Sequence, residues 1–196
     1  MDMDLNNHQA LTKDEITHVK SITNTGKLYY DYDPLIEQAR NHAFWICRQY
    51  NQSCYETVNG NINLLKKLFG SLGDNPMIEQ GFITEFGFNL YIGDNFKAGH
   101  NLTMIDCNVV TIGNNVTIGE QVGIYTSNHA MNNQKRANHW CSEQPITIGN
   151  NVIIENNVTI LPGVTINDNV VIKTGSVVTT DIPKNVIASG VPCQVE

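Results

Sequence analysis

No run of eighteen apolar residues occurs in this 196-residue sequence, so nothing in it has the length and apolarity of a membrane-spanning helix. Its opening, MDMDLNNHQ, is acidic and polar and lacks the basic-then-apolar order of a signal peptide. These two absences predict a cytoplasmic protein without a membrane partner. Basic residues are few, 12 Lys and Arg against 19 Asp and Glu, and they form no cluster. With a formal net charge of −7 the chain is a poor match for nucleic acid. Cysteine is sparse too. Cys47, Cys54, Cys107, Cys141 and Cys193 are scattered, odd in number and without a CxxC pair, which predicts reduced thiols and argues against a zinc site.

What the sequence does have is an internal repeat. From Ile146 to Pro183 it reads IGNNVI, IENNVT, ILPGVT, INDNVV, IKTGSV, VTTDIP, with a branched aliphatic at Ile148, Ile154, Ile160, Ile166, Ile172 and Val178. A second small or aliphatic residue follows four places later, at Val152, Val158, Val164, Val170 and Ser176, with polar, Gly, Asn or Asp residues between. A period of six does not return to one helical face, and the Asn, Gly and β-branched content opposes helix. If each unit is a short strand plus a turn, three units close a triangular coil and the Ile positions stack inside it. That is the hexapeptide pattern of a parallel β-helix, in which neighbouring coils pair as parallel strands about 4.8 Å apart. No single unit can bury its aliphatic alone; stacking makes the column a core. An aligned β-sandwich is the competing arrangement, and six consecutive in-phase units disfavour it.

The rest of the chain falls into place around the coil. Residues 1–13 are expected to be disordered and residues 14–75 helical, with the coil occupying 76–196. Asp33-Pro34 is an N-cap followed by Pro at the first helical position, and Leu35, Ala39, Ala43, Ile46 and Cys47 carry a helix to about Tyr50. Asn59 to Leu72 reads as a second amphipathic helix, ended by Gly70 or Gly73. Together they predict a helical cap over one end of the solenoid. The period-six signal begins weakly near Met77, runs through Ile92, Ala98 and Met104, and slips by two residues before Ile112, Ile118 and Ile124. From His129 to Pro145 there is no aliphatic register, so this stretch must leave the coil as a loop of about 129–145 before Ile148 resumes the phase. His129 closes the unit IYTSNH, which places it at a coil corner at the base of that loop.

Several segments together resemble the maltose, galactoside and nodulation-type O-acetyltransferases of the hexapeptide-repeat acyltransferase superfamily. They are GKLYYDYD at 26–33, ITEFGFNLYIGDNF at 83–96, NLTMID at 101–106, YTSNH at 125–129, Arg136, PITIGNNV at 145–152, LPGVTI at 161–166, GSVVTTDIP at 175–183 and ASGVPC at 188–193. The resemblance implies a mainly β fold, a left-handed parallel β-helix with an N-terminal α-helical cap and an extruded loop. It also implies acetyl transfer from acetyl-CoA to a sugar hydroxyl, in a homotrimer with active sites between subunits and with no metal.

Residue by residue, His129 matches the catalytic histidine of that family. A sugar hydroxyl is too weak an acid to attack a thioester unaided, and a neutral imidazole that takes its proton contributes about 10²- to 10⁴-fold. The main-chain N–H at Asn156 matches the oxyanion donor. Asp31 and Asp106 match acceptor-contacting positions, and Glu85 stands where the family has a small polar or acidic residue. The donor wall maps to Glu155, Lys173, Thr174, Thr179, Thr180 and Gln194. Here the sequence departs from the family: Thr180 and Gln194 replace a lysine and an arginine that meet coenzyme A phosphates, Glu155 replaces a glycine, and Ile153 a tryptophan. Lys173-Thr174 replaces a Gly-Ala pair, Gly99 an acceptor-binding asparagine, and Ala130 the proline after the histidine. These departures leave two alternatives open, an acyltransferase for another acceptor or acyl donor, and a non-catalytic trimeric scaffold. A zinc-dependent variant of the coil would need three convergent histidines, and the spacing of His100, His129 and His139 matches no such pattern.

Overall fold

The computed structural model of this chain describes residues 8–57 and 59–196. Short strands of two or three residues, each ended by a turn, wind into a parallel β-helix with three faces. On the first face Leu72, Ile92, Ile112, Ile148 and Ile166 stand in register from coil to coil. The second face stacks Ile78, Ala98, Ile118, Ile154, Ile172 and Ala188. Thr84, Met104, Ile124, Ile160 and Val178 form the third. The three columns meet inside the triangle. Ile160, Ile166 and Ile172 are each 0% exposed, and Val152, Val158, Val164, Val170 and Ser176 are buried beside them. Each fully buried aliphatic contributes about 1.5–3 kcal/mol, but only when a coil covers it from above and below. The architecture is the mainly β solenoid with N-terminal helices that the six-residue period predicts.

The turns explain the asparagines. At the corner between the first and second faces the chain must pass through a left-handed residue, and Asn75, Asn95, Asn115, Asn151, Asn169 and Asn185 occupy it with φ of 55° to 62°. Asparagine tolerates this region better than other non-glycine residues. Its amide then does a second job: Asn95 Nδ2 donates to Asn115 Oδ1 at 2.9 Å, Asn115 to Asn151 at 3.0 Å, Asn151 to Asn169 at 3.1 Å and Asn169 to Asn185 at 2.9 Å. The result is a hydrogen-bonded ladder along one edge. The preceding glycine is required by space, since a Cβ on Gly149 would lie 2.4 Å from Asp168 Oδ1.

Three helices precede the coil. α1 (Lys13–Thr23) opens on a capping box in which Thr12 and Glu15 satisfy each other's backbone N–H. α2 (Pro34–Ser53) is capped by Asp33, whose carboxylate accepts from Leu35 N at 2.8 Å, and it runs three residues beyond the expected Tyr50. α3 (Ile62–Leu68) is shorter than the span read from the sequence. Ser71–Leu72, read as helix, is already a coil strand, because parallel pairing with Tyr91 and Ile92 extends the first face by one rung. The solenoid therefore begins ahead of residue 76. Ile46, Cys47 and Tyr50 of α2 with Leu65 and Leu68 of α3 close the open end of the core, and the Tyr50 hydroxyl donates to the Ile78 carbonyl. Of the terminal segment expected to be disordered, residues 1–7 lie outside the described residues. The rest is anchored: the His8 ring stacks on Trp45 at 5.3 Å, and Leu11 packs against the cluster formed by α1, α2 and the coil.

The ladder makes a graded prediction. Asn115→Ala should lower stability by about 2 kcal/mol, from left-handed strain plus a lost hydrogen bond, and Asn115→Gly should lose less because glycine takes positive φ freely. Denaturant melts of the two variants should rank wild type above Gly above Ala; an alanine variant as stable as wild type would remove the ladder from the account.

Candidate active site

One corner of the triangle is wider than the others. Between the third and first faces, Thr84 to Ile92 and Met104 to Ile112 each span eight positions instead of six, and Ile124 to Ile148 spans twenty-four. Because each insertion lies wholly in the corner, the inward columns stay in phase. The functional candidates gather on this widened corner.

The longest excursion is not an irregular loop. Ser127–His129 and Trp140–Glu143 pair as an antiparallel ribbon, tipped by the short helix α4 (Asn133–Ala137), and Tyr29–Tyr30 adds a third strand. His129 thus lies along the ribbon and not at the coil corner itself, because strand pairing with Cys141 draws it outward. The register sets Ser127 against Glu143, His129 against Cys141, and Tyr29 against Cys141 from the other side. Alternation places Tyr29, Ser127, His129, Cys141 and Glu143 on one face. His129 is exposed within the protomer, and its Nδ1 lies 3.4 Å from Cys141 Sγ. Behind them Glu143 is 0% exposed. Its Oε1 accepts from Tyr29 Oη at 2.9 Å and Ser127 Oγ at 3.1 Å, and its Oε2 has no partner among the described residues. Burial, against those two hydrogen bonds, pushes the carboxyl up to about 7.

The acceptor acids are joined by a residue the sequence reading missed. Arg40, on α2, donates through Nη2 to Asp31 Oδ1 at 2.7 Å and through Nε to Glu85 Oε1 at 2.5 Å. Burial opposes its charge and the two carboxylates outweigh that, so the guanidinium is held more firmly protonated than usual. Arg40 had one legible signal, an arginine at the margin of the Leu35, Ala39, Ala43 stripe, but no motif marks it. Cys141 and Glu143 were missed for a similar reason, since only the ribbon's register brings them to His129.

Asp106 is a correction. Expected to contact the acceptor, it is 0% exposed, and its oxygens accept from Thr84 Oγ1 at 2.7 Å, Phe86 N at 2.8 Å, Glu85 N at 3.1 Å and Asn89 N at 3.3 Å. Within the protomer it ties one widened corner to the next and sets the backbone that carries Glu85. Burial pushes its carboxyl up to about 6 despite those bonds.

The proposed donor residues lie elsewhere. Glu155, Asn156, Lys173 and Thr174 occupy the corner between the second and third faces, at the opposite edge of the third face from the ribbon. Glu155 Oε2 accepts from Thr174 N at 2.9 Å and Thr174 Oγ1 at 3.0 Å, and Oε1 lies 3.5 Å from Lys173 Nζ. The two Thr174 bonds, with Lys173 adding to them, lower this carboxyl below its usual range. The Asn156 side chain accepts from Glu120 N at 2.8 Å, and its own backbone N–H has no acceptor among the described residues. Thr179 and Thr180 are exposed after the last third-face strand, and Gln194 is exposed on Gln194–Val195, an antiparallel strand at the edge of the second face. Among the described residues no hydrogen bond connects the ribbon to Glu155, Asn156, Lys173 or Thr174. One protomer therefore carries two half-sites, and no group of three or more His, Cys, Asp or Glu among the described residues is arranged to hold a metal ion.

Comparison with known proteins locates the chain among its relatives. The family model for the bacterial transferase hexapeptide (six repeats) matches residues 145–180, and that for the maltose acetyltransferase hexapeptide capping motif matches residues 24–73. A galactoside O-acetyltransferase of Escherichia coli is 42% identical over 170 residues, covering 87% of this chain and 84% of its own length. Among solved structures, a maltose O-acetyltransferase from Clostridium difficile superposes with a TM-score of 0.85 at 37% identity, covering 96% of this chain and 97% of that one. A galactoside acetyltransferase in complex with coenzyme A gives 0.84 at 39% identity, covering 93% and 89%. With a six-residue coil, a helical cap and relatives this similar over nearly their whole length, the chain belongs to the hexapeptide-repeat acetyltransferases, in the branch of the maltose and galactoside O-acetyltransferases.

Proposed function

We propose that this protein transfers acetyl from acetyl-CoA to a hydroxyl of a sugar or glycoside, with His129 as general base and with each complete site assembled between two subunits of a homotrimer. The observation that carries the reading is the ribbon face, where an exposed imidazole stands on the same widened corner as Asp31 and Glu85, two carboxylates held by one guanidinium. Carboxylates accept hydrogen bonds from sugar hydroxyls, and Arg40 keeps both charged and fixed. Asp106 supports this arrangement from beneath as a positioning residue.

Acetyl-CoA supplies the acyl group already activated as a thioester, so no covalent enzyme intermediate is required. His129 Nε2 takes the acceptor hydroxyl proton while that oxygen bonds to the acetyl carbon, and returns it to the departing sulfur; an acetyl ester and CoA thiol result. The Asn156 N–H, free of other acceptors among the described residues, suits the negative charge that develops on the carbonyl oxygen. This donor lies across the third face from His129, which supports a site closed by a neighbouring copy. The donor wall fits coenzyme A with few cations: from residue 146 onward only Lys173 and Lys184 are basic, and Lys173 is partly engaged by Glu155. Thr174, Thr179, Thr180 and Gln194 offer polar contacts instead. That Glu155 is bound by Thr174 and Lys173 limits its repulsion of an anionic ligand.

Three measurements test this. Incubation with acetyl-CoA and a panel of glycosides should yield an acetyl ester by mass spectrometry, and His129→Ala should lower turnover at least ~100-fold with an unchanged melting curve. Turnover retained in that variant would take His129 out of the mechanism. Arg40→Gln should raise the acceptor KM by roughly tenfold or more while leaving the acetyl-CoA KM within about twofold, since a charged hydrogen bond is worth ~1.5–3 kcal/mol; an equal rise in both constants would count against an acceptor role. Thr180→Lys combined with Gln194→Arg should tighten CoA binding in a salt-dependent way by isothermal titration, and unchanged affinity would place the phosphates on other residues.

A further inference from the structure

We infer that Cys141 is a positioning residue for the reaction, fixing which ring nitrogen of His129 is free to act as base. The inference rests on the general-base reading of His129 given above.

A neutral imidazole has one protonated and one bare nitrogen, and only the bare one can take a proton. In this site the His129 ring has a single hydrogen-bonding partner among the described residues, Cys141 Sγ, 3.4 Å from Nδ1. The contact is built into the fold. His129 and Cys141 are paired residues in the antiparallel ladder, and Cys141 is paired on its other side with Tyr29, so the sulfur is held in the middle strand of three. Cys141 is 3% exposed, which keeps the sulfur from turning away into water.

The polarity of the contact follows from its surroundings. Burial, then the charges of Asp31 and Glu143, push the Cys141 thiol up to about 11, so it keeps its proton at neutral pH. The same carboxylates attract that proton, turning the S–H toward them and a sulfur lone pair toward the ring. His129 Nδ1–H then donates to sulfur, and Nε2 is left bare on the side away from the ribbon's middle strand. When Nε2 takes the acceptor proton, the Nδ1–H bond to sulfur persists and the ring stays in place. The opposite polarity, S–H donating to Nδ1, would leave Nε2 protonated and unable to act. Sulfur is a weak acceptor, so this arrangement orients the ring without adding a charge next to the imidazolium.

Two variants and one spectrum test the inference. Cys141→Val removes the acceptor while roughly filling the space; Cys141→Ser keeps an acceptor. The valine variant should lower kcat about tenfold, with both KM values within about twofold and a displaced acid limb of the kcat pH profile, while the serine variant stays within about threefold of wild type. Nitrogen-15 NMR of labelled histidine in the unmodified protein should show His129 protonated at Nδ1 and bare at Nε2. A valine variant with unaltered kcat and pH profile, a serine variant as impaired as the valine one, or a wild-type ring protonated at Nε2 would each overturn the inference. His129→Ala run in parallel separates the two levels: if it is inactive and the valine variant is not, only the role of Cys141 fails, and if it is active, the general-base reading fails with it.

Discussion

An aliphatic side chain on a two-residue strand has no shelter of its own, and everything else in this molecule follows from how that shelter is found. Ile154 is covered by Ile118 on one side and Ile172 on the other, and each of those depends in turn on its neighbours. Stacking therefore demands strict phase, and phase demands corners that turn the chain within a fixed number of residues. The asparagines with positive φ and the glycines without room for a Cβ are the local means of meeting that demand. At its N-terminal end, the stack is closed by α2 and α3, which put Tyr50, Leu65 and Leu68 over the open core.

Against this regular background the widened corner concentrates the buried polar groups. Asp106, Glu143, Thr84, Asn89, Asn108 and Thr126 are all buried there, where the regular coils bury aliphatics. Their hydrogen bonds run between successive corners: Asp106 reaches the backbone of the corner above, Asn108 donates to the Glu143 carbonyl at 3.2 Å, and Asn108 N donates to Thr126 Oγ1 at 3.0 Å. The corner is thus a stack in its own right, held by polar contacts instead of aliphatic ones. Arg40 joins that stack to α2 through Asp31 and Glu85, so the helical cap contributes to the site as well as covering the core.

The coil was legible because its period is written in every unit, and Ile148 through Val178 face inward as the spacing requires. The insertions were legible as breaks in that phase, and so was the concentration of His129 with them. The ribbon was not. Trp140–Glu143 lacks an aliphatic register, and its strand character comes from pairing with Ser127–His129 and with Tyr29–Tyr30, 111 positions away for Tyr29 and Glu143's neighbour register partner aside.

 Such pairing between segments remote in sequence carries no local periodicity. Arg40 and Cys141 were hidden for the same reason, since each acquires its partners only when α2 and the ribbon are folded onto the coil. Asp106 shows the reverse case: its motif was visible, but four donors around one carboxylate are a property of stacked corners and cannot be read from one of them.

Because the inserted residues leave the inward columns in phase, the corner is mechanically decoupled from the core. Residues can be exchanged, added or removed there without disturbing the burial of a single aliphatic on the three faces. A lineage built on such a coil is free to explore new acceptors at one edge while its foldedness is inherited unchanged, which makes the widened corner the molecule's reservoir of evolvability.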